Sequence, residues 1–382
     1  MTLLTNARIV LPCSVVETEL HFSADGLSAP GAIVPAASTD ATVIDCAGDY
    51  IIPGIIDLHT DNLERQVLPR VNARWPSRSA FLAHDAQCAV AGVTTVFDSL
   101  SLGDINGRDR IQTYEDGIRD LVELSEAGAL RADHLLHFRC ELIAPDMQPL
   151  FEMALHDPRM TALLRLASLM DHSPGVGQYA DIARWRAGRA KEGMTEAEID
   201  AMQARVAAER AHHLEANRAY VIEYCRAHGI TLASHDDRLE EEVARNHEDG
   251  ITIAEFPVSL AAARGAHALG MDVIAGAPNI VRGGSHSGNV NAIDLIRAGL
   301  VTALASDYVP SAMLEAAFAC VAQEILPVPE AIALVTDGPA RIVGLHDRGR
   351  IEAGRRADLV QVRLYDGLPV IRRVWVGGHR VV

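Results

Sequence analysis

Between Ile51 and Ala305 the sequence repeats one device: a short apolar run, then a histidine or an acid, then a helical segment. Continuous β-branched runs read as strands buried on both faces, and strands that alternate with helices pair in parallel. The runs open at Ile51 and continue with Val93–Phe97, Leu135–Cys140, Leu163–Met170, Ile230–Ser234, Ile251–Ala254, Val273–Gly276 and Val301–Ala305. Helical periodicity fills the intervals at Ser79–Ala91, Asp109–Glu126, Pro149–His156, Thr195–Ala227, Arg238–His247, Ser259–Leu269 and Val290–Ala298, with Met313–Glu324 and Val328–Thr336 after the last run. Thr195 and Glu198 have the spacing of a capping box. Eight such units in about 290 residues fit an α/β fold of the (β/α)8 type. An open doubly wound sheet lacks support, because no G-x-G-x-x-G follows the first strand.

The two chain ends have a different texture. Residues 1–52 read as short strands (Leu3–Leu11, Val15–Phe22, Ala41–Cys46) with turns at Asp25-Gly26 and in a Gly/Pro/Ala/Ser stretch. Residues 349–382 hold two more, Asp358–Val362 and Val370–Val376, before Gly377-Gly378. The expectation is a small β-sandwich domain built from 1–52 and 349–382, with the barrel, 53–348, inserted between.

Active sites of parallel barrels form at the carboxyl ends of the strands. Those ends carry His59 and Asp61, Asp98, Glu141, Asp171 and His172, His235 and Asp236, Glu255, and Asp307. Each alone is more often a solvated loop group, but so many at strand ends converge on one mouth. His59 and Asp61 lie two apart in extended chain and project to one side. His59, Asp61, Glu141, His172, His235 and Asp307 are therefore the candidate metal ligands. Asp98, Asp171, Asp236 and Glu255 read as groups that orient them. Carboxylates and imidazoles without thiolates suit Zn2+, with Mn2+ or Fe2+ also compatible, as one or two ions. His84, His134, His212 and His213 lie on helices or at strand starts and read as structural or surface groups.

The seventh strand runs into Gly276–Asn289, a Gly-rich loop before a helix. Arg282, Gly283, Gly284, Ser285, Ser287 and Asn289 would form an anion cradle there; the alternative is an ordinary connection. Arg65, Arg70 and Arg74 add cationic reach near the first motif, or a plain basic rim. Such local devices matter because the net charge is −17, which argues against nucleic-acid or anionic-membrane binding. Lys191 is the only lysine and sits in a polar helical segment, which excludes lysine chemistry at the strand ends. Six scattered cysteines without C-x-x-C, no signal pattern and no long apolar run give the expectation of a cytoplasmic protein with reduced thiols.

A His-x-(His/Asp) pair after strand one, His ligands mid-barrel, an Asp after strand eight and the segment Gly349–Val360 resemble the amidohydrolase superfamily. The segments Asp57–Glu64, Ala83–Gln87, Gly92–Asp98, Leu169–Gly175, Ala233–Asp237, Gly276–Asn289 and Ser306–Pro310 are similar to its phosphonate-degrading branch, over nearly the whole chain. That resemblance implies hydrolysis of a ribose 5-triphosphate to the 5-phosphate and pyrophosphate. It implies a phosphorylated ribose as partner, Asp307 as the group that takes the water's proton, and His286 as general acid or phosphate donor. Asn62 and Arg70 join the Gly-rich loop as substrate contacts on this view, and a homo-oligomer is compatible with it. Two departures stand out. Asp61 replaces the usual second histidine, and no strand end carries a lysine to be carboxylated as a bridge, so Glu141 after strand three is expected to bridge instead, as a carboxylate does in some members. A deacetylase, cyclic amidase or deaminase on the same barrel is the alternative activity.

Overall fold

A computed structural model describes all residues except 33–41, 71–72, 104, 106–109 and 286–287. The sequence expectations that touch these positions, the Gly/Pro/Ala/Ser stretch, Ala41, Asp109, His286 and Ser287, lie outside the described residues. The first strands are β1 (Thr2–Val10), β2 (Val15–Ser23), β3 (Gly26–Leu27), β4 (Thr42–Asp45) and β5 (Tyr50–Pro53). The alternating part supplies β6 (Ile55–Thr60), β7 (Val93–Leu102), β8 (Asp133–Glu141), β9 (Leu164–Met170), β10 (Thr231–His235), β11 (Ile253–Glu255), β12 (Asp272–Gly276) and β13 (Ala303–Ala305). The chain ends with β14 (Leu359–Tyr365), β15 (Leu368–Val376) and β16 (His379–Arg380).

Strands β6 to β13 pair in sequence order, all parallel. The sheet closes through a bridge between Thr60 and Asp307, where Asp307 N donates to His59 O at 2.9 Å and Asp61 N donates to Asp307 O at 2.8 Å. Small and branched side chains fill the interior: Ile56, Leu58, Leu166, Ala233, Ile253, Ile274, Ala303 and Ala305, with Phe97. The opposite faces of the strands pack on the helices, which is why the runs read as apolar throughout. The longest helix, Glu196–His228, starts at the expected capping box: Thr195 Oγ1 accepts from Glu198 N at 3.3 Å and Glu198 Oε2 accepts from Thr195 N at 2.8 Å. It stops at Gly229, whose φ of 66° lies in the left-handed region.

The strands of both chain ends form one mixed sheet, in the order β16-β15-β14-β5-β1-β2-β3 with β4 also on β1. β14 lies antiparallel to β5, so the C-terminal segment completes a sheet that the N-terminus begins. This sheet has its own core around Leu4, Ile9, Leu20, Phe22, Ile51 and Trp375. Asp133, at the start of β8, ties it to the barrel by accepting from Arg348 at 2.8 Å and from Arg356. Gly54 is the joint between β5 and β6. Its N–H donates to Asp358 O at 2.8 Å, and a Cβ on it would overlap Thr94.

The expected end of the second barrel strand at Asp98 is corrected: β7 runs on to Leu102. Asp98 points out of the barrel, where its two oxygens lie 2.7 Å from His84 Nε2 and 2.8 Å from His134 Nδ1. It thus orients two structural histidines and no residue of the barrel mouth. Burial alone would raise the Asp98 carboxyl, but His134 and His84 outweigh it and hold it down at about 2. Burial alone would lower His134, but Asp98 and Asp85 outweigh it and push it up to about 9.

Two outcomes follow from these packings. Protonated His134 contributes stability that is fully present below about pH 6.5 and lost as pH rises through about 9. Melting temperature in that window should fall for the wild type, and His134→Gln should be less stable and lose the slope. Gly54→Ala should destabilise by about 1–3 kcal/mol through overpacking against Thr94, measured by denaturant unfolding.

Candidate active site

The carboxyl ends of the barrel strands surround a cavity of about 530 Å3. Three residues just after strands adopt left-handed backbone there: Asp236 (φ 59°), Phe256 (φ 52°) and Asp307 (φ 55°). Such conformations are costly for residues with a side chain and persist where the surroundings enforce them. Each here still continues the ladder, with Asp236 N donating to Glu255 O at 3.0 Å and Phe256 N to Ile274 O at 2.9 Å. The turn is therefore enforced by sheet hydrogen bonds, and Asp236, Phe256 and Asp307 all line the mouth.

His59 and His235 meet at the floor, ring centroids 5.8 Å apart. His59 Nδ1 is 2.9 Å from Glu255 Oε1, and His235 Nε2 is 3.9 Å from Glu255 Oε2. A second group overlaps the first: His235 Nδ1 is 3.1 Å from Asp236 Oδ2, which is 3.9 Å from His172 Nε2. Glu141 holds His172 in place, with Oε2 2.5 Å from His172 Nδ1 and Oε1 accepting from His172 N at 3.2 Å. Both groups, His59/His235/Glu255 and His172/His235/Asp236, bring ligand atoms within 4.8 Å of one another.

His59 Nε2, both ring nitrogens of His235, Asp236 Oδ2 and Glu255 Oε2 are buried without a hydrogen-bond partner among the described residues. Ligand-type atoms gathered at one place with no hydrogen bond, two of them facing only each other as the His235–Asp236 pair, fit a divalent cation. Burial, with Arg139 and His235 nearby, holds His59 well below the usual imidazole value, so it is neutral and able to ligate. Asp307 is pushed up to about 6 by burial, against the pull of Arg139 and His235.

Of the sequence candidates, His59, Asp61, His235 and Asp307 line the cavity together with Arg282, Gly284, Ser285 and Asn289. Glu141 and His172 join through Asp236. Asp61 lies beyond the end of β6 and faces Arg139, with Oδ2 3.6 Å from Nη1, rather than sharing either ligand group. Asn62 is corrected as a substrate contact: it is buried, and its Nδ2 lies 3.0 Å from His84 Nδ1 and donates to Gln87 at 3.1 Å. Arg70 is exposed in a short bridge with Ala73, and neither it nor Gly283 lines the cavity. Asp171 pairs with Arg210 at 2.7 Å, towards the long helix. Glu255, read from sequence as an orienting partner, lies 2.9 Å from His59 Nδ1 and also belongs to a group that could hold an ion.

Sequence reasoning missed two residues on the inner face of β8. His137 places Nδ1 3.0 Å from Leu58 O and Nε2 3.0 Å from Ser168 Oγ, and burial pushes it down to about 3. It is a neutral ring packed edge-on against His59 at 5.1 Å. Arg139 lines the cavity itself. The signal was available: His137, Arg139 and Glu141 recur at the period of 2 that puts all three on one face.

A model of the amidohydrolase family matches residues 190–381. The alpha-D-ribose 1-methylphosphonate 5-triphosphate diphosphatase of Escherichia coli (strain K12) is 40% identical over 383 residues, 99% of this chain and 100% of that protein. Among solved structures, N-acetyl-D-glucosamine-6-phosphate deacetylase from Mycobacterium smegmatis superposes with a TM-score of 0.61 at 17% identity, over 100% of both chains. The 5-methylcytosine deaminase from Klebsiella pneumoniae does so with 0.62 at 15% identity, over 100% of this chain and 97% of that one. These structures share the fold; the family match and the full-length relative go further, and with the ligand groups at the strand ends they show that this chain belongs to the amidohydrolase family.

Proposed function

We propose that this chain is a metal-dependent diphosphatase that hydrolyses alpha-D-ribose 1-methylphosphonate 5-triphosphate, or a close ribose triphosphate, to the 5-phosphate and pyrophosphate. The observation that carries the reading is one cavity with two chemistries. Orphaned imidazole and carboxylate atoms lie on its floor, and Arg282 with the Gly284–Ser285 backbone lies on its wall. A linear polyphosphate needs both, a centre that activates water and a cationic wall that holds the rest of the chain. The full-length similarity to the Escherichia coli diphosphatase supports the same substrate.

His59, His235 and Glu255 would hold the ion, with His172 and Asp236 as the neighbouring candidate group that shares His235 and Glu141 orienting His172. A bound divalent ion, zinc on this donor set, supplies a water acidic enough to react near neutral pH. The chain's own groups do the rest. Asp307 accepts the water's proton at its carboxylate, a role that its raised value of about 6 suits. Its backbone is locked to His59 by the barrel closure, which fixes the approach. Arg282 Nη1, 3.2 Å from Tyr308 Oη, is held over the wall and positions the outer phosphates. The small phosphorylated substrate, the free thiols and the absence, among the described residues, of a helix long and apolar enough to cross a membrane accord with work in the cytoplasm.

Three measurements test the reading. The purified protein should release pyrophosphate from the ribose triphosphate and leave acetylated amino sugars and cytosine analogues untouched; turnover of only the latter sinks it. A chelator should abolish pyrophosphate release and strip the ion, and Zn2+, Mn2+ or Fe2+ should restore activity; a metal-free preparation of full activity would overturn the ligand groups. Asp307→Asn should lower kcat by about 10²–10⁴-fold, the size expected for losing a general base.

A further inference from the structure

Arg139 lines the cavity from the third barrel strand. It is on β8, two residues before Glu141 and two after His137, on the face turned into the barrel, whereas Phe138 and Cys140 pack outward in the core beneath the helices. It is 7% exposed, and its Nε and Nη1 have no hydrogen-bond partner among the described residues. Its nearest charge is Asp61, with Nη1 to Oδ2 at 3.6 Å. A guanidinium kept only to neutralise a carboxylate would dock on it in bidentate fashion at about 2.7–2.9 Å. Arg139 is held loosely instead: it lines the cavity, and its Nε and Nη1 are buried and unbonded among the described residues. Leaving a buried guanidinium unsatisfied is expensive, so a group that supplies oxygens completes the site.

The charge around it points the same way. Asp61, Glu64, Asp307 and Glu255 act on Arg139 from one side, more than offsetting the burial that would lower it, while His59 and His235 feel its positive charge. It therefore places a fixed positive charge among the acids of the mouth. The two ligand groups share His235, and a neutral imidazole ordinarily gives one nitrogen to one ion.

We infer that Arg139 is a catalytic residue that grips two non-bridging oxygens of the phosphoryl group under attack, and that the centre uses it in place of a second metal ion. The inference rests on the diphosphatase reading above. In the step, the water oxygen bonds to phosphorus, the water's proton passes to Asp307, and the bridging P–O bond breaks with its electron pair leaving on the departing phosphate chain. Arg139 binds the equatorial oxygens, where charge is spread in the transition state, and its planar fork fits two of them at once. A neutral amide would offer it no such pair.

The test compares wild type, Arg139→Ala and Arg139→Lys for pyrophosphate release, bound metal per chain and melting temperature. Wild type should carry one ion per chain. Arg139→Ala should keep that ion and lose about 10²–10³-fold in kcat, the size seen when one charge-stabilising donor is removed. Added guanidinium ion should restore part of the loss. Arg139→Lys, which keeps the charge without the fork, should fold like wild type and still fall at least about tenfold, so the test does not hang on the folding of the alanine variant. Two ions per wild-type chain, a kcat of either variant within about threefold of wild type, or loss of activity together with the ion and without guanidinium rescue would overturn the inference. A wild type that releases no pyrophosphate at all would instead strike down the reading on which the inference rests.

Discussion

The arrangement depends on one joint, the meeting of the first and last barrel strands. Asp307 gives its N–H to His59 O and takes Asp61 N–H on its own carbonyl. Those two hydrogen bonds bring together residues almost 250 positions apart and set the distance between the Asp307 carboxyl and the His59 imidazole. A barrel closed out of step by one residue would lose its core together with this register, since a slip of one turns every side chain to the other face. The left-handed kinks at Asp236, Phe256 and Asp307 belong to the same constraint. The ladder continues through each of them, and their side chains line the mouth.

Around that joint the protein manages charge locally. The chain as a whole is strongly acidic, and the mouth gathers Asp61, Glu141, Asp236, Glu255 and Asp307. Left alone, such a set repels itself, and burial alone already raises Asp307 against the pull of Arg139 and His235. Three devices offset this: neutral imidazoles held by backbone and hydroxyl partners, as at His137; a buried arginine; and a wall arginine, Arg282, steadied by Tyr308. The result is a cavity suited to anions in a protein that repels them elsewhere.

Much of this was legible in the sequence, for identifiable reasons. Strands buried on both faces leave unbroken apolar runs, so the ends at His59, His235 and Asp307 stood out as sudden polarity, and the Thr195 capping box marked its helix to the residue. The same property misled at Asp98. A single acid within a fully buried strand looks like a terminus when its partners, His84 on a helix and His134 on β8, cannot be seen from one dimension. Asn62 failed similarly, because proximity to the first motif said nothing about its being turned towards His84 and Gln87. Arg139 and His137 were hidden by contrast of another kind: they lie inside a run, and only the period of 2 betrays them. Glu255 was located as an orienting partner, and its carboxylate does lie 2.9 Å from His59 Nδ1.

The shared sheet has a consequence for how the chain is made. β5 pairs with β14, yet about 300 residues separate Pro53 from Leu359. At a synthesis rate of about 5–20 residues per second, the N-terminal strands wait on the order of 15–60 s on the ribosome with one edge of β5 uncovered. An uncovered edge is a template for pairing with another chain. Polysomes crowd such nascent edges together, so the period before the C-terminus emerges is when this protein is most exposed to misassembly, and a chaperone that shields β5 would act on the vulnerable state.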